Sequence, residues 1–400
     1  KDKRKIPFLH SNENAKPGYY AVRLNNNIQC ELTTTERTGF HRYTFPDQDG
    51  WLRFDMGFRL NWDQSTAGML QLVNETTLIG YRYSTGWAKG QKVYFAASFS
   101  SPVQNYFFID DSVTVGNKAN GKLVKAALQF NTISPLLIKV SLSSVSAEKA
   151  LLELNKTKAQ TFEAVNNKAE QLWEKELQKI KINTDNKELA TKFYTSLYRT
   201  CLAPVISSDA DGGYQTHDNK KLQFTKGKNK YTVFSQWDVF RALNPLFTIT
   251  QTERLPDMIN SMLQLYDDNG LLPVWDISTW EANTMTGYHS VPIIADAILK
   301  NIKGFNYNKA YEAMRKSAFQ NQRGTPEYIQ YGYLPQDKHG WSVTITLEYA
   351  FDDWCIAQVA KKLGKIDDYN LFMKRAMSYK QLFDVPTGFM RSKNSSGKFI

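Results

Sequence analysis

Tryptophan stands next to a carboxylate at four places in the second half of this chain: Trp237-Asp238, Trp275-Asp276, Trp280-Glu281 and Asp352-Asp353-Trp354. Tyr288-His289 and Glu348-Tyr349 fall among them. This mixture suits a carbohydrate. A pyranose offers an apolar C–H face to an aromatic ring and a rim of hydroxyls to carboxylates and amides. Binding a neutral sugar this way needs no cofactor. Other chemistries have no signature here. The sequence has no HExxH, EF-hand loop or clustered histidines. It also has no G-x-S-x-G elbow, GxGxxG or Walker loop.

Each of these residues also has a plainer role open to it. Asp238 lies three residues after Ser235, close to the capping-box spacing at a helix start, so it either caps a helix or meets a sugar hydroxyl. Trp237 serves either the core or the ligand. Trp275 and Trp280 flank one loop, where two large rings are harder to assign to packing. Glu281 and His289 bracket Asn283-Thr284-Met285-Thr286-Gly287, just before a helix begun by Ser290 and Pro292. His289 fits a structural role as well as a functional one. Asp352 and Asp353 share a helix whose apolar face is Leu347, Phe351 and Trp354. Adjacent helical residues project about 100° apart, so at most one of the two faces a cleft. Trp87 stands in the turn Ser84-Thr85-Gly86-Trp87-Ala88, a place from which an indole can close over a ligand.

The elements that must position these residues differ between the two halves. Strands are predicted at Tyr19–Leu24, Ile28–Thr35, His41–Phe45, Trp51–Phe58, Leu78–Tyr83, Lys92–Phe99, Gln104–Ile109, Leu123–Phe130 and Leu136–Leu142. Asn25-Asn26-Asn27 predicts a hairpin between the first two. The spacing argues for a β-sandwich over residues 1–145. Ser146 is then a helix cap with Glu148 in the first turn. Phe162, Val165, Ala169, Leu172, Trp173 and Leu177 recur at helical spacing, so 146–186 reads as one long connecting helix.

From 187 to 400 the chain reads as helices in an internal repeat. Glycines closing each unit, Gly213, Gly270, Gly332 and Gly388, lie 57, 62 and 56 positions apart by subtraction. Helix pairs are expected at Ser235–Thr250 with Leu255–Tyr266, Val291–Lys303 with Tyr307–Phe319, and Val343–Leu363 with Tyr369–Phe383. Hairpins at this period close into an (α/α)6-type toroid with its loops gathered at one end. About three and a half are counted before Ile400, so the toroid is expected to be incomplete in this chain.

Composition adds exclusions. No run of eighteen apolar residues marks a membrane span, and no signal peptide is visible. The net charge is +11, with the densest clusters at Lys1–Lys5 and Lys226–Lys230. Without a nucleic-acid module these read as solvated surface, and no nucleic-acid partner is expected. Cys30, Cys201 and Cys355 lack CxxC spacing, which argues against zinc or a disulfide framework and for core thiols.

At its motifs the chain resembles glycoside hydrolase family 92, the calcium-dependent α-mannosidases. The stretches that carry the resemblance are Pro17-Gly18-Tyr19-Tyr20, Glu31-Leu32-Thr33, His41-Arg42-Tyr43-Thr44-Phe45-Pro46 and Gly86-Trp87-Ala88. They continue with Phe234-Ser235, Trp237-Asp238, Arg241-Ala242-Leu243, Asn283-Thr284-Met285 and Gly287-Tyr288-His289-Ser290-Val291-Pro292. Thr346-Leu347-Glu348-Tyr349-Ala350, Asp352–Ala357 and Thr387-Gly388-Phe389-Met390-Arg391 complete the order.

The resemblance implies an exo-acting α-mannosidase, on α-1,2 or related linkages, acting with inversion on mannose-containing oligosaccharides or glycoprotein glycans. Inverting enzymes set an acid and a base about 6.5–9.5 Å apart. In the family those residues and the Ca2+ ligands follow the point matching Ile400, so catalytic residues are unknown here and no metal site is expected in this chain. The chain is expected to be a fragment or to have a companion chain, because the family's opening glycine-rich segment also has no counterpart before Pro17. Candidate substrate contacts are Trp87, Trp237 and Asp238, with Trp275, Glu281 and His289 inferred from position. A periplasmic, cell-surface or secreted location is implied by resemblance. A sugar phosphorylase or other inverting glycosidase of the same plan, and a non-catalytic carbohydrate-binding protein, remain as alternatives.

Overall fold

The computed structural model describes residues 5–110, 113–114, 116–216, 222–224 and 227–400. Residues 1–4 and Lys226, parts of the two lysine-rich clusters, lie outside the described residues. The chain divides into two compact units. One is Lys1–Leu202 with Ser208–Gln215 and Leu222–Lys226; the other is Ala203–Ser207, Thr216–Lys221 and Gly227–Ile400.

The first unit is β-rich. Its strands are β1 (Phe8–Lys16), β2 (Tyr19–Leu24), β3 (Gln29–Thr34), β4 (Thr38–Thr44), β5 (Asp49–Asp55), β6 (Gln64–Asn74), β7 (Thr77–Thr85), β8 (Gln91–Phe99), β9 (Val103–Ile109), β10 (Val113–Thr114), β11 (Lys118–Gly121), β12 (Lys125–Asn131) and β13 (Leu136–Ser143). A nine-stranded sheet runs β1-β2-β3-β4-β13-β8-β7-β6-β11, and a four-stranded sheet runs β10-β9-β12-β5. Alternation decides which face is buried. On β12, Ala126, Leu128 and Phe130 point inward, against Leu70, Leu78, Phe95 and Phe99 of the larger sheet. This closes a sandwich core.

The segment after β13 is two helices rather than one. Helix α1 (Ala147–Lys156) starts on Ser146, whose hydroxyl accepts from the Lys149 amide as the sequence predicts. It ends at Thr157. A second cap, Thr161, then starts α2 (Phe162–Leu177). The break follows from that second cap, which competes with continuing the helix. Both helices lie on the outer face of the large sheet. Ala150 and Leu154 pack near Ala96, and Phe162 and Val165 pack on Phe40 and Tyr19. Helix α3 (Lys187–Arg199) completes the unit, with Tyr198 against Trp173.

The second unit is helical: α4 (Gln236–Val239), α5 (Leu243–Thr250), α6 (Leu255–Asn269), α7 (Ser290–Leu299), α8 (Tyr307–Ser317), α9 (Thr325–Tyr331), α10 (Ser342–Lys362) and α11 (Ile366–Ala376). The expected helix over 235–250 is split. Pro245 has no N–H to give the preceding turn, so α5 begins at Leu243 with the proline in its first turn. Of the four repeat glycines, Gly270 and Gly332 do end helices, in the left-handed conformation at φ 79° and 71°. Gly213 instead opens a strand, Gly213–Gln215, and Gly388 turns a short hairpin. Helix α7 is buried almost throughout, because SVPIIADAIL is apolar on every side.

Burial corrects one surface reading and one core reading. Lys230 is only 2% exposed, not solvated, and donates to the Ser261 carbonyl at 3.3 Å. Burial pushes its amine down, against the charges of Asp276 and Asp268. Of the three cysteines only Cys355 is a core thiol; Cys30 and Cys201 are half-buried, and all three are free.

Candidate functional site

In the second unit three stretches converge: 232–241, 272–290 and the middle of α10. Phe234 bridges to Asp276, which joins the start of α4 to the hairpin Asp276–Ile277/Trp280–Glu281. Beneath α4, buried Gln236 meets Ser290 at the start of α7, and the Ser290 hydroxyl donates to the Pro273 carbonyl at 2.5 Å. The backbone here is strained. Val233, Ser278, Thr279, Asn283 and Met285 all have positive φ, between 50° and 69°. A β-branched residue such as Val233 rarely sits there, and such outliers cost about 1–3 kcal/mol each and gather at functional sites. Arg323 clamps the strained loop, donating to Asn283 Oδ1 at 2.7 Å, to its carbonyl at 3.0 Å, and to the carbonyl of Met285.

Asp238 is exposed on α4. Its carboxylate accepts from the Ser235 hydroxyl, while Ser235 makes no side-chain cap bond. The pair therefore does not form the reciprocal capping box that its spacing allows. Trp237 is half-buried, and its indole N–H is buried without an acceptor among the described residues. Trp275 is half-buried beside Glu281, whose carboxylate takes three backbone amides: Val274 at 2.7 Å, Trp275 at 3.0 Å and Asn283 at 2.6 Å. Glu281 thus folds the loop that presents Trp275.

His289 lies deepest. It is 1% exposed, with Nδ1 2.8 Å from Asp352 Oδ1 and Nε2 3.0 Å from Glu348 Oε2. Its ring stacks on Phe240 at 3.9 Å. Burial disfavours the imidazolium, but Asp352 and Glu348 outweigh that cost and push it up to about 9. Gly287 must be glycine: its φ is 76°, and a Cβ there would lie 2.2 Å from His289 Nε2. Neither α10 aspartate reaches solvent. Asp352 holds the Tyr288 amide at 2.9 Å as well as His289. Asp353 holds Tyr288, Tyr328 and Arg375. Burial pushes Asp353 and Asp276 up to about 7, but both are closed off inside the protein, so neither is placed to give a proton to a substrate.

Sequence reasoning named Glu348 and Asp352 but missed that they pair with His289. The two are four apart on α10 and so share one helix face, and a buried histidine fits between them. That spacing was the available signal. Next to Glu348, Arg241 borders a cavity of about 700 Å3 whose apolar walls come from α5, α7 and α10.

In the first unit, Trp87 is 53% exposed, and its ring lies 5.1 Å from that of Trp62, which the sequence did not single out. Arg82 fixes the Trp62 loop, donating to Met56 O at 3.0 Å, Phe58 O at 3.1 Å and Asp63 at 2.6 Å.

Residues 1–143 match the glycosyl hydrolase family 92 N-terminal domain, and residues 147–400 match the glycosyl hydrolase family 92 catalytic domain. The chain belongs to glycosyl hydrolase family 92. A family GH92 α-mannosidase of Bacteroides thetaiotaomicron is 39% identical, with TM-score 0.95 over 99% of this chain and 55% of that one. A family GH92 inverting mannosidase of Bacteroides thetaiotaomicron VPI-5482 is 27% identical, with TM-score 0.91 over 100% of this chain and 56% of that one. An uncharacterized secreted glycosidase of Arthroderma benhamiae is 23% identical over 448 residues, covering 99% of this chain and 52% of the relative. The chain therefore spans about half the length of these relatives.

The calcium that family 92 implies finds no cage among the described residues. Calcium takes about six to eight hard oxygen ligands. No cluster of three or more potential metal-ligating side chains occurs among the described residues. The carboxylates around Asp238 are already engaged: Glu281 by amides, Glu348 by Arg241 and His289, and Asp352 by His289 and Tyr288. The residues present do not fit the ion.

Proposed function

We propose that the polypeptide carrying this chain is an exo-acting, inverting α-mannosidase on mannose-containing glycans, with α-1,2 or related linkages as its targets. The observation that carries this reading is the 39% identity, at TM-score 0.95 over 99% of the chain, to an α-mannosidase of family 92. In this reading Trp237 and Asp238 contact the sugar at the cleaved end and Trp275 lines the approach, while Trp87 of the first unit is a separate candidate sugar contact. Glu281 and His289 shape the loop between them. The exposed Asp238 carboxylate accepts from a sugar hydroxyl, and the indoles cover an apolar sugar face. The catalytic acid and base and the calcium ligands are assigned to the rest of the polypeptide. Export fits the secreted glycosidase among the relatives.

The test is the anomer released. The full-length polypeptide, given an α-1,2-mannobiose, is expected to produce β-mannose first, as seen by proton NMR before mutarotation. α-Mannose as the first product would remove inversion. Cleavage that requires inorganic phosphate would favour a phosphorylase. Sugar binding without any release would favour a carbohydrate-binding protein.

A further inference from the structure

We propose that Arg241 is a further substrate-contacting residue of this site, and that Glu348, His289 and Asp352 form a chain of charges whose role is to hold its guanidinium in place. This rests on the mannosidase reading above. The chain runs from the core outward. Asp352 Oδ1 lies 2.8 Å from His289 Nδ1, and His289 Nε2 lies 3.0 Å from Glu348 Oε2. Glu348 Oε1 accepts from Arg241 Nη2 at 3.1 Å. Side-chain exposure rises along it from 0% to 1%, 10% and 64%. The charges alternate from carboxylate to imidazolium to carboxylate to guanidinium.

The charge held on His289 contributes to stability, but that does not account for the outer members of the chain. The outermost pair has one exposed member, Arg241, and pairs open to solvent contribute about 0–1 kcal/mol. The inner three groups are buried, where desolvation opposes them and apolar residues of similar volume often serve as well or better. What the chain does achieve is orientation. Arg241 is gripped on one edge by Glu348, and its guanidinium lies 4.4 Å from the centre of the Phe240 ring, which itself stacks on His289. One nitrogen, Nη2, is bound, one face is packed, and Nε and Nη1 have no partner among the described residues. A planar guanidinium with N–H donors still free can give protons to hydroxyl oxygens of a pyranose while Glu348 fixes its plane. Arg241 follows Asp238 by three residues, just past Phe240, which caps the end of α4, so one short stretch of chain carries both an acceptor and a donor. Asp238 takes a hydroxyl proton and Arg241 gives protons to hydroxyl oxygens.

A double-mutant cycle in the full-length polypeptide tests this, with 4-nitrophenyl α-D-mannopyranoside as the probe. Arg241→Ala is expected to lower kcat/KM about 30-fold, in line with loss of a charged hydrogen bond, while the melting temperature stays within about 2 °C because the side chain is exposed. R241K, which keeps the charge but not the fork, is expected to recover only part of the loss. Glu348→Gln is expected to cost about 10-fold alone and less than about 2-fold in the Arg241→Ala background, because its effect passes through Arg241. A purely structural Glu348 would give additive losses and overturn the positioning role. Arg241→Ala within 2-fold of an active wild type, or a melting temperature that falls in step with activity, would overturn the assignment of Arg241 alone. A wild type that releases no mannose would overturn the mannosidase reading and this assignment with it.

Discussion

Asp238 and Glu281 show how much a carboxylate's surroundings decide. Both stand beside a tryptophan. Glu281 has both oxygens occupied by backbone amides and so belongs to the loop. Asp238 has one hydroxyl partner, Ser235, and is otherwise open to solvent. Replacing Asp238 by alanine therefore removes little that the fold uses, and stability should stay within about 0.5 kcal/mol. If the carboxylate meets a sugar hydroxyl, kcat/KM on an α-mannoside should fall by about 100-fold, within the range for a charged hydrogen bond. Thermal melting and steady-state kinetics on the same preparation separate the two. A clear loss of melting temperature with a matching loss of activity would return Asp238 to a structural role.

At the scale of elements, the site depends on α10 presenting Glu348 and Asp352 to the residue that starts α7. His289 titrates at about 9 in the folded protein against an ordinary value of 6.5. A raised histidine stabilises the fold fully below pH 6.5, and that stabilisation disappears as pH climbs through 9. The gap between the two values corresponds to about 3 kcal/mol. Wild-type stability from urea unfolding should thus decline between about pH 6.5 and 9.5 relative to His289→Gln, whose own curve lacks this component. Parallel curves would mean that the imidazole is not held charged. Elements of this kind were only partly legible in the sequence. All nine predicted strands are present, because aromatic and β-branched residues alternate cleanly in them. The strands β1, β6, β10 and β11 were missed. β1, FLHSNENAK, is polar and almost wholly exposed at the sheet edge, and β6 opens with Gln, Ser and Thr before its apolar run. Both are recruited by partners far from local propensity. Of the site, Trp237, Asp238 and His289 were visible as residue types in suggestive places. Arg241 was not singled out and Glu348 stood only as a carboxylate beside a tyrosine, because their role comes from meeting across 107 positions of chain.

For the molecule as a whole, two features point in one direction. The two units have separate apolar cores, one between the sheets and one among the helices, so each has the packing to hold its loops in place. Yet the carboxylates those loops display are nearly all committed to protein donors, which leaves exposed Asp238 as the acidic member of the candidate set free to meet a ligand. A divalent ion needs several oxygens that are not already engaged. If the full-length enzyme depends on calcium, its ligands must come from residues other than these, and the ion's effects should be separable from those of this chain's contacts. Chelation of the full-length polypeptide should then abolish mannose release, and added calcium should restore it. Calcium should also raise the melting temperature by mass action on the folded state. The Asp238→Ala protein should keep that same calcium-dependent melting shift while its turnover stays low, because the carboxylate it lacks holds sugar and not metal. Loss of the shift in Asp238→Ala would place Asp238 among the ligands, and release unchanged after exhaustive chelation would remove calcium from the mechanism.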